Sequence, residues 1–349
     1  MGLFNFRKKS KQSDLTISRS EVLQDLELLS RKADDKKEEK IKISSPEITA
    51  PKEKVHLFEP KYVDSSKFIS SLFIPDTIID GWENDFLTLR GASIRGVSHR
   101  WDKSPRQDSF ATAYIPDKDW VIVAVADGVS GCPQSHLGAA VAVNSAIKYF
   151  TDIDVSKIEQ INWKSACETI AWDLNLKIKS LKDSSELLEE IGESEQDIAN
   201  AALKFLATTL VCAVITKSQE SEGLIAWVIT VGDSGVWILS AGEYNAVAGG
   251  KDEDSEIMSN DVAPLPFVPN KVAPTKVPVK FGEVLLLGTD GFGEPLGTGN
   301  GDLGLLFKNM FAAIPSQVEF AATLDFKRKY FVDDRTLVAI WPKEGLNDK

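Results

Sequence analysis

Cysteine is scarce in this chain of 349 residues, and the three present, Cys132, Cys167 and Cys212, are far apart and odd in number. That excludes a disulfide framework or a zinc cluster and fits a reducing compartment. Long apolar runs are also missing: no stretch approaches the roughly 18 residues of a membrane helix, and no signal-peptide core follows the Lys-rich start. The expectation is a cytoplasmic protein without a membrane span. Basic excess is lacking too, with 40 Lys and Arg against 52 Asp and Glu and a net charge of -12. A nucleic-acid partner held through its phosphates would need the opposite balance. A phosphate ligand could bind only where cations or a local basic patch reverse the field. Gly2 is present, but Phe6 stands where a myristoylation signal has Ser or Thr.

Apolar material is plentiful: 43% hydrophobic residues, with 8 Trp and 17 Phe. This suffices for one large domain of two packed layers or two smaller ones. Residues 1–80 are polar and charge-dense, as in "RKADDKKEEK", and read as a largely disordered tail. Within it "SRSEVLQDLELLSRK" pairs Ser18 with Glu21 as a capping box and sets Val22, Leu26 and Leu29 on one face of a short helix.

Residues 85–345 form the expected folded domain. Its strands are "SFATAYI", "WVIVAVAD", "TTLVCAVIT", "LIAWVITVG", "GVWILSA", "EVLLLGTD" and "RTLVAIWP". The turn "VGDSGV" reads as a tight hairpin. "SHLGAAVAVNSAIKYF" and "NWKSACETIAWDLNLKIKSL" read as helices. The absence of strict strand-helix alternation favours antiparallel over parallel sheets. The expected fold is α+β, a two-layer antiparallel β-sandwich with helices on both outer faces.

Acids recur at the ends of these apolar strands. Asp108 opens "DSFATAYI", Asp127 ends "VIVAVAD", Asp290 ends "VLLLGTD", and Asp333 with Asp334 precedes "RTLVAI". Any one of them could be a simple turn signal. Together on one rim they would repel strongly unless divalent cations neutralised them, and an oxygen-only donor set selects magnesium or manganese. Gly128 and Gly291, directly after two of the acids, would let the backbone approach an ion.

In their order and spacing, "GVSHRWDKSPRQDSF", "VAVADGVSG...SHLGAAVA", "ATTLVCAVI...WVITVGDSGVWIL", "LLLGTDGF" and "DDRTLVAIW" resemble the metal-dependent protein serine/threonine phosphatases of type 2C. The likeness covers residues 91–341 and is to the bacterial branch with a GxSH opening and a Gln-Asp first motif. It implies hydrolysis of phosphoserine and phosphothreonine in signalling proteins, opposing a Ser/Thr kinase, at a binuclear Mg or Mn site. Asp127 would bridge both ions, the Gly128 carbonyl would ligate one, and Asp290 and Asp333 the other. Asp108 would act from the outer shell, with Gln107 in place of the family's Glu. Lys103, Arg100 and Arg106 all stand where a phosphate-binding cation is expected. Bacterial relatives offer a third-ion Asp, for which Asp197 is a candidate. The family's general-acid histidine is replaced by Val129; His99 and His136 read as structural.

Rival chemistries are weaker. None of the three cysteines is followed by the Cys-x5-Arg pattern, "DIDVS" at 152–156 follows a helix instead of ending a strand, and "GTGNG" at 297–301 lacks dinucleotide spacing. The remaining alternative is the same fold kept as an inactive, phosphoprotein-binding module. The Pro-rich stretch 251–274 suits a mobile flap over the site.

Overall fold

The computed structural model describes residues 74–184, 188, 190–218, 222–249 and 263–344. The short helix expected at 18–32, and the tail around it, lie outside the described residues. In chain order the elements are β1 (Thr77–Glu83), β2 (Leu87–Ile94), α1 (Val97–Asp102), β3 (Ser109–Ile115), β4 (Trp120–Ala126), α2 (Ser135–Asp152), α3 (Trp163–Ser184) and α4 (Glu195–Leu206). Next come β5 (Leu210–Lys217), β6 (Gly223–Val231), β7 (Gly235–Ser240), β8 (Glu243–Gly249), β9 (Thr275–Lys280) and β10 (Val284–Gly288). The last are α5 (Asp290–Leu296), α6 (Asp302–Phe311), α7 (Gln317–Leu324) and β11 (Arg335–Pro342).

A six-stranded sheet, in the order β1-β2-β11-β10-β7-β8, faces a five-stranded sheet, β3-β4-β5-β6-β9, and the pairings are antiparallel. The fold is α+β, as expected. Strand β4 shows why its sequence is apolar throughout. Val121, Val123 and Val125 face the core between the sheets, while Trp120, Ile122, Ala124 and Ala126 pack under α2, α3 and α4. β10 and β11 repeat this on the other sheet: Leu285, Leu287, Val338 and Ile340 point inward, and Leu286, Leu337 and Ala339 point to α5, α6 and α7. Two-faced burial replaces alternation with a continuous apolar run.

Three expectations are corrected. β1 begins at Thr77, ahead of the expected start at 85, and its approach is tied down by Asp76, whose carboxylate takes a 2.9 Å bond from the buried Arg95. "VGDSGV" is not a hairpin: β6 and β7 belong to different sheets, and the turn carries the chain between layers. Gly232 has φ +90° there, and Ser234 is buried against Thr209, so the turn is fixed by packing instead of by a ladder. Strands β1, β2, β8 and β9 had no strand reading, and neither α1 nor the helices after α3 were anticipated. β2 is broken to the eye by Arg90 and Gly91, yet Gly91 is required because a Cβ there would lie 2.5 Å from the Phe110 ring. β9 carries Pro278, which is tolerated because the strand is an edge.

Candidate active site

The acids come together because the two sheets end on the same rim. In the five-stranded sheet Ser109 pairs with Ala126, so the next step along the ladder sets Asp108 opposite Asp127. In the six-stranded sheet Gly288 pairs with Leu337, which brings Thr289 beside Thr336 and places Asp290 and Asp333 just beyond. Thr289 joins the sheets: its hydroxyl donates to Asp108 Oδ2 at 2.8 Å and accepts from the Thr336 N–H at 3.1 Å.

Asp127 is held by its backbone. Its N–H donates to Thr209 Oγ1 at 2.9 Å, and its carbonyl accepts from the Thr209 N–H at 2.7 Å and the Thr208 hydroxyl at 2.8 Å. Its carboxyl is left to meet that of Asp290, near enough for each to perturb the other. Burial first, and then repulsion from Asp108 and Asp290, pushes the Asp127 carboxyl well above the usual carboxylate range. Burial and then Asp334 do the same to Asp108. Asp290 and Asp333 are also raised, burial being the larger cause in each.

The neighbours Asp333 and Asp334 have opposite surroundings. Asp334 is 2% exposed and accepts from the N–H groups of Gly96, at 2.6 Å, and Gln107, while His99 Nδ1 stands 2.9 Å from its Oδ1. Burial alone would raise its carboxyl, but these donors, His99 foremost, hold it below the ordinary value. Asp333 accepts the Asp334 N–H at 2.8 Å and otherwise faces the rim. His99, Asp333 and Asp334 lie close enough to share an ion. Asp334, however, already has both oxygens occupied, and it acts as the clamp that sets the loop. Gly291 completes the fit, since a Cβ there would lie 1.8 Å from the Asp334 carbonyl.

Among the described residues no lysine or arginine pairs with the carboxylates of Asp108, Asp127 or Asp290. Gln107 Oε1 is buried beside them without a hydrogen-bond partner. An all-oxygen set of crowded carboxylates with an orphaned amide oxygen beside it fits divalent cations of the magnesium or manganese kind. Gly128, paired with Thr208, presses against Ser135, where a Cβ would come within 2.8 Å.

The cations nominated for phosphate separate by environment. Arg106 is buried, and its guanidinium donates to Ser93 Oγ at 2.6 Å and to the Asp108 carbonyl. Arg100 leans on Asp76 at 3.4 Å. Lys103 is exposed at the C-cap of α1. Asp197 closes a cap with Ser194 at the start of α4, its carboxylate accepting the Ser194 hydroxyl at 2.6 Å. His136 is buried in α2 and pushed down to about 4, chiefly by desolvation, which suits a packed neutral ring. Asp152 is the last residue of α2, so "DIDVS" does not end a strand. Of the expected flap, 251–262 lie outside the described residues. Beyond them Leu265 is buried and exchanges two backbone hydrogen bonds with Thr208, beside Asp127. Sequence reasoning missed Thr208, Thr209, Ser234 and Thr289, whose hydroxyls hold the rim, and the clamp role of Asp334.

No curated protein sequence matches the chain. Solved structures of similar fold include a bacterial serine phosphatase at 16% identity and TM-score 0.50, covering 74% of this chain and 98% of that one. A point variant of a bacterial serine phosphatase matches at 16% and 0.51, covering 73% and 98%. The catalytic domain of the serine/threonine protein phosphatase PstP, solved with two manganese ions, matches at 16% and 0.49, covering 74% and 99%. A family model described as protein phosphatase 2C matches residues 95–324, well over half of the sequence, and the chain belongs to that family.

Proposed function

We propose that the protein is an active, metal-dependent phosphatase of phosphoserine and phosphothreonine in protein substrates, acting against a Ser/Thr kinase. The observation that carries this reading is the convergence of Asp108, Asp127, Asp290 and Asp333 on one rim, each carboxyl pushed above its ordinary value, where no lysine or arginine among the described residues pairs with Asp108, Asp127 or Asp290. A fold kept only for binding would have no need of so costly an arrangement.

In this reading Asp127, the Gly128 carbonyl, Asp290 and Asp333 hold two magnesium or manganese ions. Such ions supply a lowered water pKa and neutralise charge on the phosphoryl oxygens. Asp108, fixed by Thr289, and the unpartnered Gln107 oxygen orient water toward the phosphorus. Arg106 positions Asp108 through its carbonyl, while Lys103 and Arg100 attract the phosphate from the α1 side. No residue of the described set stands out as a general acid, which suits a leaving serine or threonine that takes its proton from water.

The test is release of phosphate from a phosphothreonyl peptide with manganese or magnesium present. Turnover that disappears in chelator and returns with metal is expected. Unchanged turnover in excess chelator would remove the metal mechanism, and no turnover under any metal would leave the inactive binding module.

A further inference from the structure

The rim beside Asp333 is built from two segments far apart in sequence, α1 and the turn that leads into β11. The Ser98 N–H and hydroxyl both donate to the Val332 carbonyl, at 3.0 and 2.9 Å, and the Gly96 N–H donates to Asp334 at 2.6 Å. Gly96 has no room for a side chain, since a Cβ there would lie 2.3 Å from the Asp333 backbone. α1 is thereby stitched to the stretch that presents Asp333.

Both segments hold large rings out to solvent. Trp101, one turn beyond Ser98 on the same face of α1, is 65% exposed, and Tyr330, two residues before Val332, is 81% exposed. The turn that carries Tyr330 is tethered. The Phe331 N–H donates to the Arg328 carbonyl at 3.2 Å, the Phe331 carbonyl accepts from Arg335 at 2.9 Å, and Arg328 donates to the Pro295 carbonyl. Tyr330 is held there at φ +74°, a left-handed backbone that suits glycine or asparagine and that an aromatic residue adopts only at a cost. The core gains nothing from a ring held out of it at that cost.

Charge here runs against that of the whole chain. Residues 325–332 carry Lys327, Arg328 and Lys329 against Asp325, in a sequence whose net charge is -12. All three cations are exposed, and Lys329 Nζ stands 4.8 Å from the Tyr330 ring, so ring and cation form one surface. Tyr330 is three residues from Asp333, at most about 11 Å along the backbone. An extended peptide advances about 3.3 Å per residue, so a residue within about three positions of a phosphoryl group held at Asp333 reaches this shelf.

We propose that Trp101 and Tyr330 are specificity-determining residues, and that their shelf selects substrate segments with an aromatic residue and acidic neighbours within about three positions of the phosphorylated residue. The inference rests on the phosphatase reading above for the place of the phosphoryl group. Exposed rings take a further ring in offset or edge contact, and the cations of the turn favour carboxylates beside it.

Fluorescence anisotropy of the full chain with manganese tests it. The labelled peptides are Glu-Phe-Glu-X-Glu-Phe-Glu and Glu-Ala-Glu-X-Glu-Ala-Glu, where X is a non-hydrolysable phosphonate analogue of phosphothreonine. Wild type should bind the Phe peptide about tenfold more tightly than the Ala peptide. In Trp101→Ala/Tyr330→Gly that preference should vanish while affinity for the Ala peptide stays level. Lys327→Glu/Lys329→Glu should weaken both peptides, and Trp172→Ala, which removes an exposed ring on α3 over the other sheet, should change neither. Glycine suits the Tyr330 backbone and Trp101 is exposed, so the ring variant should melt with wild type; Trp101→Gln/Tyr330→Asn repeats the test where it does not. Turnover of a small aryl phosphate, measured beside the titrations, separates the two readings. Preference without turnover would keep the shelf and remove the phosphatase. Absence of the preference in wild type, with or without turnover, its persistence in the ring variant, or its loss in Trp172→Ala overturns the proposal.

Discussion

At one end of β4 Asp127 sits among Asp108, Asp290 and Asp333; at the other, Lys118 and Lys276 stand against the rings of Trp120 and Trp227. Both ends gather like charges, but under different conditions. The lysines keep long stems and reach solvent or aromatic faces, so their repulsion is screened. The aspartates are short, no lysine or arginine among the described residues pairs with Asp108, Asp127 or Asp290, and all four carboxyls are pushed above the ordinary value. The acidic end therefore carries an electrostatic strain that a bound cation would relieve. The basic end carries none, and removing charge there should cost the fold little.

The largest effect expected from breaking this contrast is on turnover. Asp127→Asn should lower phosphate release about a thousandfold or more, because an amide cannot neutralise two cations. Its metal-free stability should stay level or rise, since one repelling carboxylate is gone. A thermal melt beside the rate assay reads both.

Packing at the acidic end comes next. Gly291→Ala would drive a methyl group into the Asp334 carbonyl and should cost about 2–3 kcal/mol in chemical denaturation, as overpacking at a rigid contact does.

The third prediction is a pH dependence. Asp127 and Asp108 have folded pKa values raised above the unfolded value near 3.8. The metal-free native state therefore binds more protons than the unfolded chain in the window above that value, and stability should rise as pH is lowered from 7 toward it. Asp334 works in the opposite sense: held below 3.8, its contribution is present above that pH and is lost only as pH falls further. Melting temperature measured from pH 7 to pH 4.5 without metal should climb, and added manganese at pH 7 should flatten the curve.

Smaller effects sharpen the boundary. We propose that residues ahead of 74 are dispensable for catalysis, so a chain starting at 74 should release phosphate within about twofold of the full chain. A chain starting at 81 loses Asp76 and half of β1 and should melt lower. Asp152→Asn, at the exposed end of α2, should leave the rate unchanged.

Much of the fold was legible where burial has two faces. β4, β5, β10 and β11 announce themselves as unbroken apolar runs, and the acids that stop them mark the rim. β2 was hidden because Arg90 reaches the Pro315 carbonyl and Gly91 makes room for Phe110, both tertiary reasons. The "VGDSGV" turn has hairpin composition, but which sheet the next strand joins depends on partners hundreds of atoms away in sequence. At the site the carboxylates were readable by recurrence. The distinction between Asp333 and Asp334 was not, because it is made by Gly96, His99 and Gln107, far off in the chain.

The central claim is that the rim acids form a cation site, and manganese titration of the metal-free protein followed by calorimetry tests it most directly. The account predicts saturable binding to wild type, a raised melting temperature, and loss of both in Asp127→Asn. Wild type that binds no manganese, or Asp127→Asn that binds it equally well, would contradict it.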